Sequence, residues 1–114
     1  EDECSRAIEE AVAADKAGAF AIVVEGVAPD LADQITAAVS CPTIGIGASP
    51  GCDGQILVTN DLLGMTDWVP KFVKKNADLK SVISGAAETY AEEVKARSFP
   101  GADQMYRLTK TARS

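Results

Sequence analysis

Residues Phe20 to Val24 form an uninterrupted apolar run that ends on the carboxylate of Glu25. An apolar run without alternation is typical of a strand buried on both faces, as in a parallel sheet covered by helices. Ligands of such sheets bind beyond the carboxyl ends of the strands, which is where Glu25 lies. The run therefore predicts a parallel α/β sheet with a candidate acid–base carboxylate at its ligand-binding edge.

Helical and extended patterns alternate around this run. Glu3 to Ala17 carries apolar residues at helical spacing and is followed by Gly18 as a stop signal, and a second helix is predicted to open at Pro29. Further buried strands are predicted at Thr43 to Ile46 and, after a glycine-rich loop, at Ile56 to Val58. This order predicts right-handed parallel β-α-β units.

The strands cease beyond Asp61. The spacing of Val69, Phe72 and Val73 predicts a short helix, and the apolar positions between Leu79 and Val94 predict a longer amphipathic one. Three parallel strands would leave both edges of the sheet open to pairing. We therefore expect the chain to be part of something larger, either completed by an N-terminal partner or itself a fragment.

Composition narrows the class of protein. The 114 residues are 46% hydrophobic, which fits one globular unit, and the net charge of −6 disfavours nucleic-acid or anionic-membrane partners. No run approaches the roughly 18 apolar residues of a membrane span, and no signal segment opens the chain, so a cytoplasmic location is expected. The three cysteines lack the spacing of a disulfide framework or a zinc site. Without histidine, acid–base chemistry falls to carboxylate, lysine, tyrosine or cysteine side chains.

The glycine-rich loop from Gly45 to Gln55 is weakly similar to a phosphate-binding loop, but it lacks both common phosphate-loop patterns. A tight connection between parallel strands is the simpler interpretation. Asp53 and Asp61 are interpreted as turn residues, and Cys52 as a candidate exposed thiol without neighbours that would lower its pKa.

Three lysines and two aromatic residues lie close together in the sequence between positions 68 and 75. Lys71, Lys74 and Lys75 are interpreted as a solvated helix face rather than an anion site. Trp68 and Phe72 are either core residues, the commoner case, or a pair that faces a partner.

Several sequence blocks together resemble the ketopantoate hydroxymethyltransferase family, also called 3-methyl-2-oxobutanoate hydroxymethyltransferases. They cover nearly all of the chain up to Tyr106, and their order and spacing are specific. The blocks are Ala17 to Glu25, Leu31-Ala32 with Ile35-Thr36, Pro42 to Ala48, Cys52 to Val58, Asp61 to Gly64, Pro70 to Lys74, Tyr90 to Val94 and Phe99-Pro100.

The resemblance implies a fold and a partner. The family enzyme is a (β/α)8 TIM barrel of roughly twice this length, and the chain resembles its C-terminal portion, about three β/α units. Residues 1–106 would form this part of the barrel and residues 107–114 a polar tail. The N-terminal half of the barrel would then be a partner, and the family's large assemblies imply a homo-oligomer.

The resemblance also implies a reaction. The family transfers a hydroxymethyl group from 5,10-methylenetetrahydrofolate to 3-methyl-2-oxobutanoate and forms 2-dehydropantoate for the synthesis of pantothenate and coenzyme A. Glu25 matches the family's proton acceptor. Mg²⁺ stabilises the enolate, but its ligands belong to the N-terminal half, so no metal ligand is expected in this chain and no folate-binding residue is assigned.

Differences from the family pattern leave alternatives open. Ser49 replaces a glycine of the loop, Gly26 stands where Cys or Met is usual, and the segment from Ala102 to Tyr106 departs from the usual ending. The chain could instead be a truncated, inactive protein that acts only by assembly. A related barrel of the phosphoenolpyruvate mutase and isocitrate lyase type is a third alternative, which the Gly-Ile-Gly-Ala and Asp-Gly-Gln blocks disfavour.

Overall fold

The computed structural model describes residues 2–108, which divide into two compact units between Ala77 and Asp78. In the first unit the elements are α1 (Asp2–Lys16), β1 (Ile22–Glu25), α2 (Pro29–Ala38), β2 (Thr43–Ile46), β3 (Gly54–Gln55) and α3 (Thr59–Leu62). The second unit contains α4 (Leu79–Lys95) and a 3-10 turn (Ala102–Gln104). Most of the predicted polar tail, residues 109–114, lies outside the described residues, and its boundary after Tyr106 stays a prediction.

The three strands form a parallel sheet in the order β1-β2-β3, which confirms the predicted α/β class. The strand predicted at Ile56 to Val58 is wrong: β3 is Gly54–Gln55, with Gly54 opposite Ile44, and residues 56–58 lie outside it. Asp53 explains the shift, because its carboxylate accepts hydrogen bonds from the backbone N–H of Thr43 at 2.8 Å and from the Thr43 hydroxyl at 3.2 Å. This contact aligns the residue after Asp53 with β2.

The ends of α1 and α2 follow ordinary capping rules. Asp2 and Glu3 lie in the first turn of α1 and Lys16 in its last, so these charges complement the helix dipole. Gly18 has a φ of +98° and ends the helix, as predicted. Pro29 occupies the first turn of α2, where its missing N–H costs nothing.

The core of the first unit lies between the two helices and one face of the sheet. Ala32 is completely buried, and with Ala11, Val24, Ile35 and Cys52 it forms one apolar cluster. Alanine at the contact between α1 and α2 lets the helices approach closely. Both helices of this core, α1 and α2, therefore pack on the same face of the sheet.

Asp15, near the end of α1, holds the turn that leads into β2. Its carboxylate accepts hydrogen bonds from the Ser40 N–H at 2.7 Å, from the Ser40 hydroxyl at 2.9 and 3.0 Å, and from the Cys41 N–H at 3.2 Å. The Ser40 bonds lower the pKa of Asp15 below its ordinary 3.8. Desolvation raises the pKa of the neighbouring Cys41 thiol, and Asp15 adds to that rise.

Asp15→Asn should lower the thermal stability of the chain at neutral pH. Because the folded-state pKa of Asp15 is depressed, its contribution is present above the unfolded value of 3.8 and is lost as the pH falls through the folded value. The difference in Tm between the wild type and the variant should therefore shrink as the pH falls from about 7 to about 3, as followed by circular dichroism. A difference that stays constant over this interval would contradict the assignment.

The short helix predicted around Val69 to Val73 is wrong. The chain forms a loop there with a single turn, in which the Val73 N–H donates to the Pro70 carbonyl at 3.0 Å. Pro70 accounts for this, because proline disfavours the helical conformation of the preceding residue, here Val69. The sequence prediction also missed α3, a single turn at Thr59–Leu62.

The long helix of the second unit is confirmed. Asp78 caps α4 by accepting a hydrogen bond from the Ser81 N–H at 3.3 Å, and Lys95 lies in the last turn. Beyond the helix, the Phe99 ring contacts Tyr90 edge-on, with ring centroids 5.2 Å apart. No helix within residues 2–108 is long and apolar enough to cross a membrane.

Candidate active site

Glu25 is the last residue of β1, and its side chain is exposed at the carboxyl end of the sheet. It lies opposite Ile46 in the ladder, and the N–H of Gly26 donates to the Ile46 carbonyl at 2.9 Å. Gly26 has a φ of +63°, so the chain turns immediately after the carboxylate. The structure thus places Glu25 where the sequence predicts it, at the edge where ligands of parallel sheets bind.

Glu25 lies on the face of the sheet opposite to α1 and α2. Ile22 and Val24 pack against α1 and α2, so the alternation of a strand places Val23 and Glu25 on the opposite face. Val23 is 55% exposed there, and Ile56, which follows β3, is 50% exposed. The candidate base therefore stands at the edge of an open apolar surface.

A loop that the sequence analysis did not predict packs beside this edge. We call residues 65–76 the Phe72 loop. Gly47 directly follows β2 with a φ of +61°, and a Cβ placed on it would overlap the Phe72 ring at Cγ. The ring therefore occupies the space that a side chain at position 47 would need.

Two hydrogen bonds close the ends of the Phe72 loop. The Lys75 ammonium donates to the Thr66 carbonyl at 3.1 Å, and the Asn76 N–H donates to the Leu62 carbonyl at 2.8 Å. Trp68, four residues before Phe72, is 78% exposed, so it is no core residue of the described chain. One bond thus joins two parts of the Phe72 loop and the other joins the loop to the end of α3. The Phe72 ring packs against the residue that follows β2.

The glycine-rich loop between β2 and β3 uses its polar groups internally. The buried Ser49 hydroxyl donates to the Asp33 carboxylate at 2.5 Å and accepts a hydrogen bond from the Gly51 N–H at 3.0 Å. The Gln55 side-chain amide donates to the Ser49 carbonyl at 2.7 Å. These contacts support a tight connection between strands rather than a phosphate cradle.

Asp53 and Cys52, two residues of that loop, contact other parts of the fold. Asp53 binds the start of β2, as described above, so it does more than form a turn. Cys52 was expected to be an exposed thiol, and this is wrong, because its side chain belongs to the buried cluster. The Thr36 hydroxyl lies 3.9 Å from the Cys52 sulfur, on the helix side of the sheet.

An open groove of about 310 Å³ runs along the free edge of β1. Small side chains of α1, including Ala7, Ala11 and Ala14, form one wall, and β1 up to Glu25 forms the other. Within the described part of the chain, no group of three or more His, Cys, Asp or Glu residues could hold a metal ion. The described residues therefore offer a carboxylate and apolar surface, but no metal site.

Parallel strands, helices on one face and a carboxylate at the carboxyl edge define the chain as a segment of an α/β protein with a candidate enzyme site. The family model for ketopantoate hydroxymethyltransferase matches residues 1–102. The chain belongs to this family.

Curated relatives agree with the family match. A 3-methyl-2-oxobutanoate hydroxymethyltransferase of Hyphomonas neptunium is 63% identical over 110 residues, which are 96% of this chain and 40% of the relative. Relatives with the same name from Sphingopyxis alaskensis and Caulobacter vibrioides are both 58% identical, over 93% and 96% of the chain and 37% and 40% of their own lengths. The chain thus spans about 40% of the length of the curated relatives it matches. Its placement in the C-terminal part of the family protein stays a prediction.

Proposed function

We propose that the chain contributes the catalytic base to a 3-methyl-2-oxobutanoate hydroxymethyltransferase in pantothenate synthesis. In this proposal Glu25 is the proton acceptor, 3-methyl-2-oxobutanoate is the acceptor substrate and 5,10-methylenetetrahydrofolate is the one-carbon donor. The observation that carries the proposal is the exposed carboxylate of Glu25 at the carboxyl end of a parallel sheet, in a chain of this family. As a biosynthetic enzyme acting on small molecules, it would work in the cytoplasm.

The proposed reaction requires one group from this chain, a base that lies beside the acidic C–H bond of the keto acid. Glu25 takes the single proton from C3 of the keto acid, and the electron pair of that bond becomes the enolate. Water adds to the methylene carbon of the donor and both of its C–N bonds break, so that the carbon is released as formaldehyde and the two protons of the water go to the nitrogens of tetrahydrofolate. C3 then adds to the formaldehyde carbon, the C=O electron pair moves to its oxygen, and this alkoxide takes the proton back from Glu25 to give 2-dehydropantoate. A positioned carboxylate typically contributes about 10²- to 10⁴-fold to such a proton transfer.

The surface next to Glu25 suits the branched end of the keto acid. Val23 lies on the same side of the sheet as Glu25 and is exposed, and Ile56, whose N–H donates to the Gly45 carbonyl of β2, is exposed as well. An isopropyl group placed against them would be removed from water, which is favourable by about 25 cal/mol per Å². Its C3 atom would then be held on the side of the sheet to which Glu25 belongs.

Mg²⁺ does not fit the residues of this chain by themselves, because the described residues offer no ligand cluster. When bound, the ion would stabilise the enolate charge. We assign its ligands to the rest of the protein and derive no step from it. The base would therefore work only together with residues from outside this chain.

We further propose that the larger part of a TIM barrel completes this sheet, with the present chain supplying about three β/α units. The relatives extend well beyond the matched 40%, so a complementary segment of the same family exists in each of them. The groove along β1 and the unpaired edge of that strand offer a site for the neighbouring unit of such a barrel. A homo-oligomer of the completed barrel is part of the same proposal.

Reconstitution tests the proposed function. The chain is produced alone and together with the part of the Hyphomonas neptunium relative that it does not match. Formation of 2-dehydropantoate from the keto acid and 5,10-methylenetetrahydrofolate is followed by mass spectrometry. We expect product only from the combination, because the chain alone lacks a metal site among its described residues.

Other results would overturn parts of this proposal. A stable complex without turnover would favour a protein that acts only by assembly. Turnover by the chain alone would contradict the need for a complementary segment. Turnover of a different keto acid without the folate donor would favour a barrel of another class.

A further inference from the structure

The Phe72 loop is a basic surface on an acidic protein. It contains Lys71, Lys74 and Lys75 but only one acidic residue, Asp67, which gives it a net charge of +2 in a chain whose net charge is −6. The sequence alone predicts that these lysines form a solvated helix face. The structure removes that interpretation, because the segment is a loop and not a helix.

Two of the three lysines are available to bind an anion. Lys75 is engaged through its ammonium group with the Thr66 carbonyl. Lys71 and Lys74 are exposed, and neither forms an ion pair with another residue in the range 2–108. Lys71 and Lys74 lie one and two positions from Phe72. Because the Phe72 ring packs on Gly47, it also places the backbone of these two lysines near the end of β2.

The loop borders the candidate active site. Phe72 packs on Gly47, which directly follows Ile46, and Ile46 pairs with Glu25 across β1 and β2. Neighbouring strands lie about 4.8 Å apart and consecutive Cα atoms about 3.8 Å apart, so only a few ångströms separate each step of this path. A ligand that reaches Glu25 and extends past the end of β2 would meet the loop.

We propose that Lys71 and Lys74 bind the carboxylates of the glutamyl tail of the one-carbon donor. This inference rests on the proposed function, since a folate has its reactive methylene at one end and its glutamyl carboxylates at the other. With the methylene carbon facing the enolate beside Glu25, the tail points outward to the rim that the Phe72 loop forms. Each added glutamyl residue brings another carboxylate to this basic surface.

Because Lys71 and Lys74 are exposed, their replacement should have a modest effect on binding of the donor. Exposed ammonium–carboxylate pairs each contribute little to binding and weaken as salt rises. Removing two such charges should therefore raise the KM for a polyglutamyl donor by roughly 2- to 30-fold. The kcat and the KM for the keto acid should stay the same, because the lysines contact neither C3 nor its proton.

The test uses the assembled protein with Lys71→Gln and Lys74→Gln combined. Steady-state kinetics are measured with 5,10-methylenetetrahydrofolate as the monoglutamate and as the pentaglutamate, at low and high salt. The variant should lose the preference of the wild type for the pentaglutamate, and high salt should remove that preference from the wild type as well. The matched control is Lys16→Gln with Lys95→Gln, which removes the same charge from the ends of α1 and α4.

Specific results would overturn the proposal. They are an unchanged KM for the pentaglutamate, an equal change for both donors, or the same change in the control variant. If the assembled wild type shows no turnover, the proposed function fails, but this inference is still decided by equilibrium dialysis of tetrahydropteroylpentaglutamate. In that measurement the Lys71 and Lys74 variant should bind it more weakly than the wild type and the control do, and equal binding would overturn the proposal.

Discussion

Glu25→Gln should abolish proton exchange at C3 of 3-methyl-2-oxobutanoate in the assembled protein, with a loss of about 10²- to 10⁴-fold. Glutamine has nearly the shape of glutamate and can still form hydrogen bonds, but it cannot accept the C3 proton. The reaction is followed in D₂O by the disappearance of the C3 proton signal in NMR spectra. Because exchange does not need the one-carbon donor, this measurement separates proton abstraction from transfer of the one-carbon unit.

The control for this prediction is Glu9→Gln. Glu9 is an exposed carboxylate on α1, outside the groove along β1, and its replacement changes the net charge by the same amount. Exchange should be normal in this variant. Unchanged exchange in Glu25→Gln would remove Glu25 as the base, and an equal loss in both variants would point to net charge rather than proton transfer.

The parts of the fold that sequence predicts are those whose cause is local. Periodicity and stop signals predict α1, α2 and α4, and the apolar run predicts β1 with Glu25 at its end. Each of these depends on residues within one element. The start of β3 was missed because Asp53 binds Thr43, ten positions earlier, and no local pattern reports that contact.

The surroundings of the candidate site were harder to predict for the same reason. Gly47 and Phe72 are 25 positions apart, so only the folded chain shows that the ring fills the space beside the glycine. The available sequence signal was a glycine directly after a buried strand. That glycine does not reveal which residue packs against it. Likewise, Ser49 is recognised as a loop anchor only once Asp33 lies within hydrogen-bond distance.

Gly47→Ala should destabilise the chain by about 2–5 kcal/mol. An alanine at a φ of +61° carries a backbone penalty of about 1–2 kcal/mol, and overpacking costs a further 1–3 kcal/mol, approximately. The new methyl group would meet the Phe72 ring, so the Phe72 loop must shift for the side chain to fit. The free energy of unfolding is measured by urea titration with circular dichroism.

Two other glycines separate the backbone penalty from the steric one. Gly26 has a φ of +63° with open space around it, so Gly26→Ala should show the backbone penalty alone. Gly54 has neither a positive φ nor a neighbour within 4 Å, so Gly54→Ala should change stability by less than about 0.5 kcal/mol. If Gly47→Ala costs no more than Gly26→Ala, the ring does not occupy the space beside position 47.

A double substitution identifies the ring as the cause. In a Phe72→Ala background the methyl group at position 47 has no ring to displace, so Gly47→Ala should cost only the backbone penalty there. The difference between the two backgrounds, about 1–3 kcal/mol, is the steric coupling between positions 47 and 72. Because Trp68 is the single tryptophan of the chain and lies in the Phe72 loop, its fluorescence should change in Gly47→Ala but not in Gly26→Ala. Equal costs of Gly47→Ala in both backgrounds would show that the loop is seated by other contacts, and the position assigned to Lys71 and Lys74 beside Glu25 would lose its support.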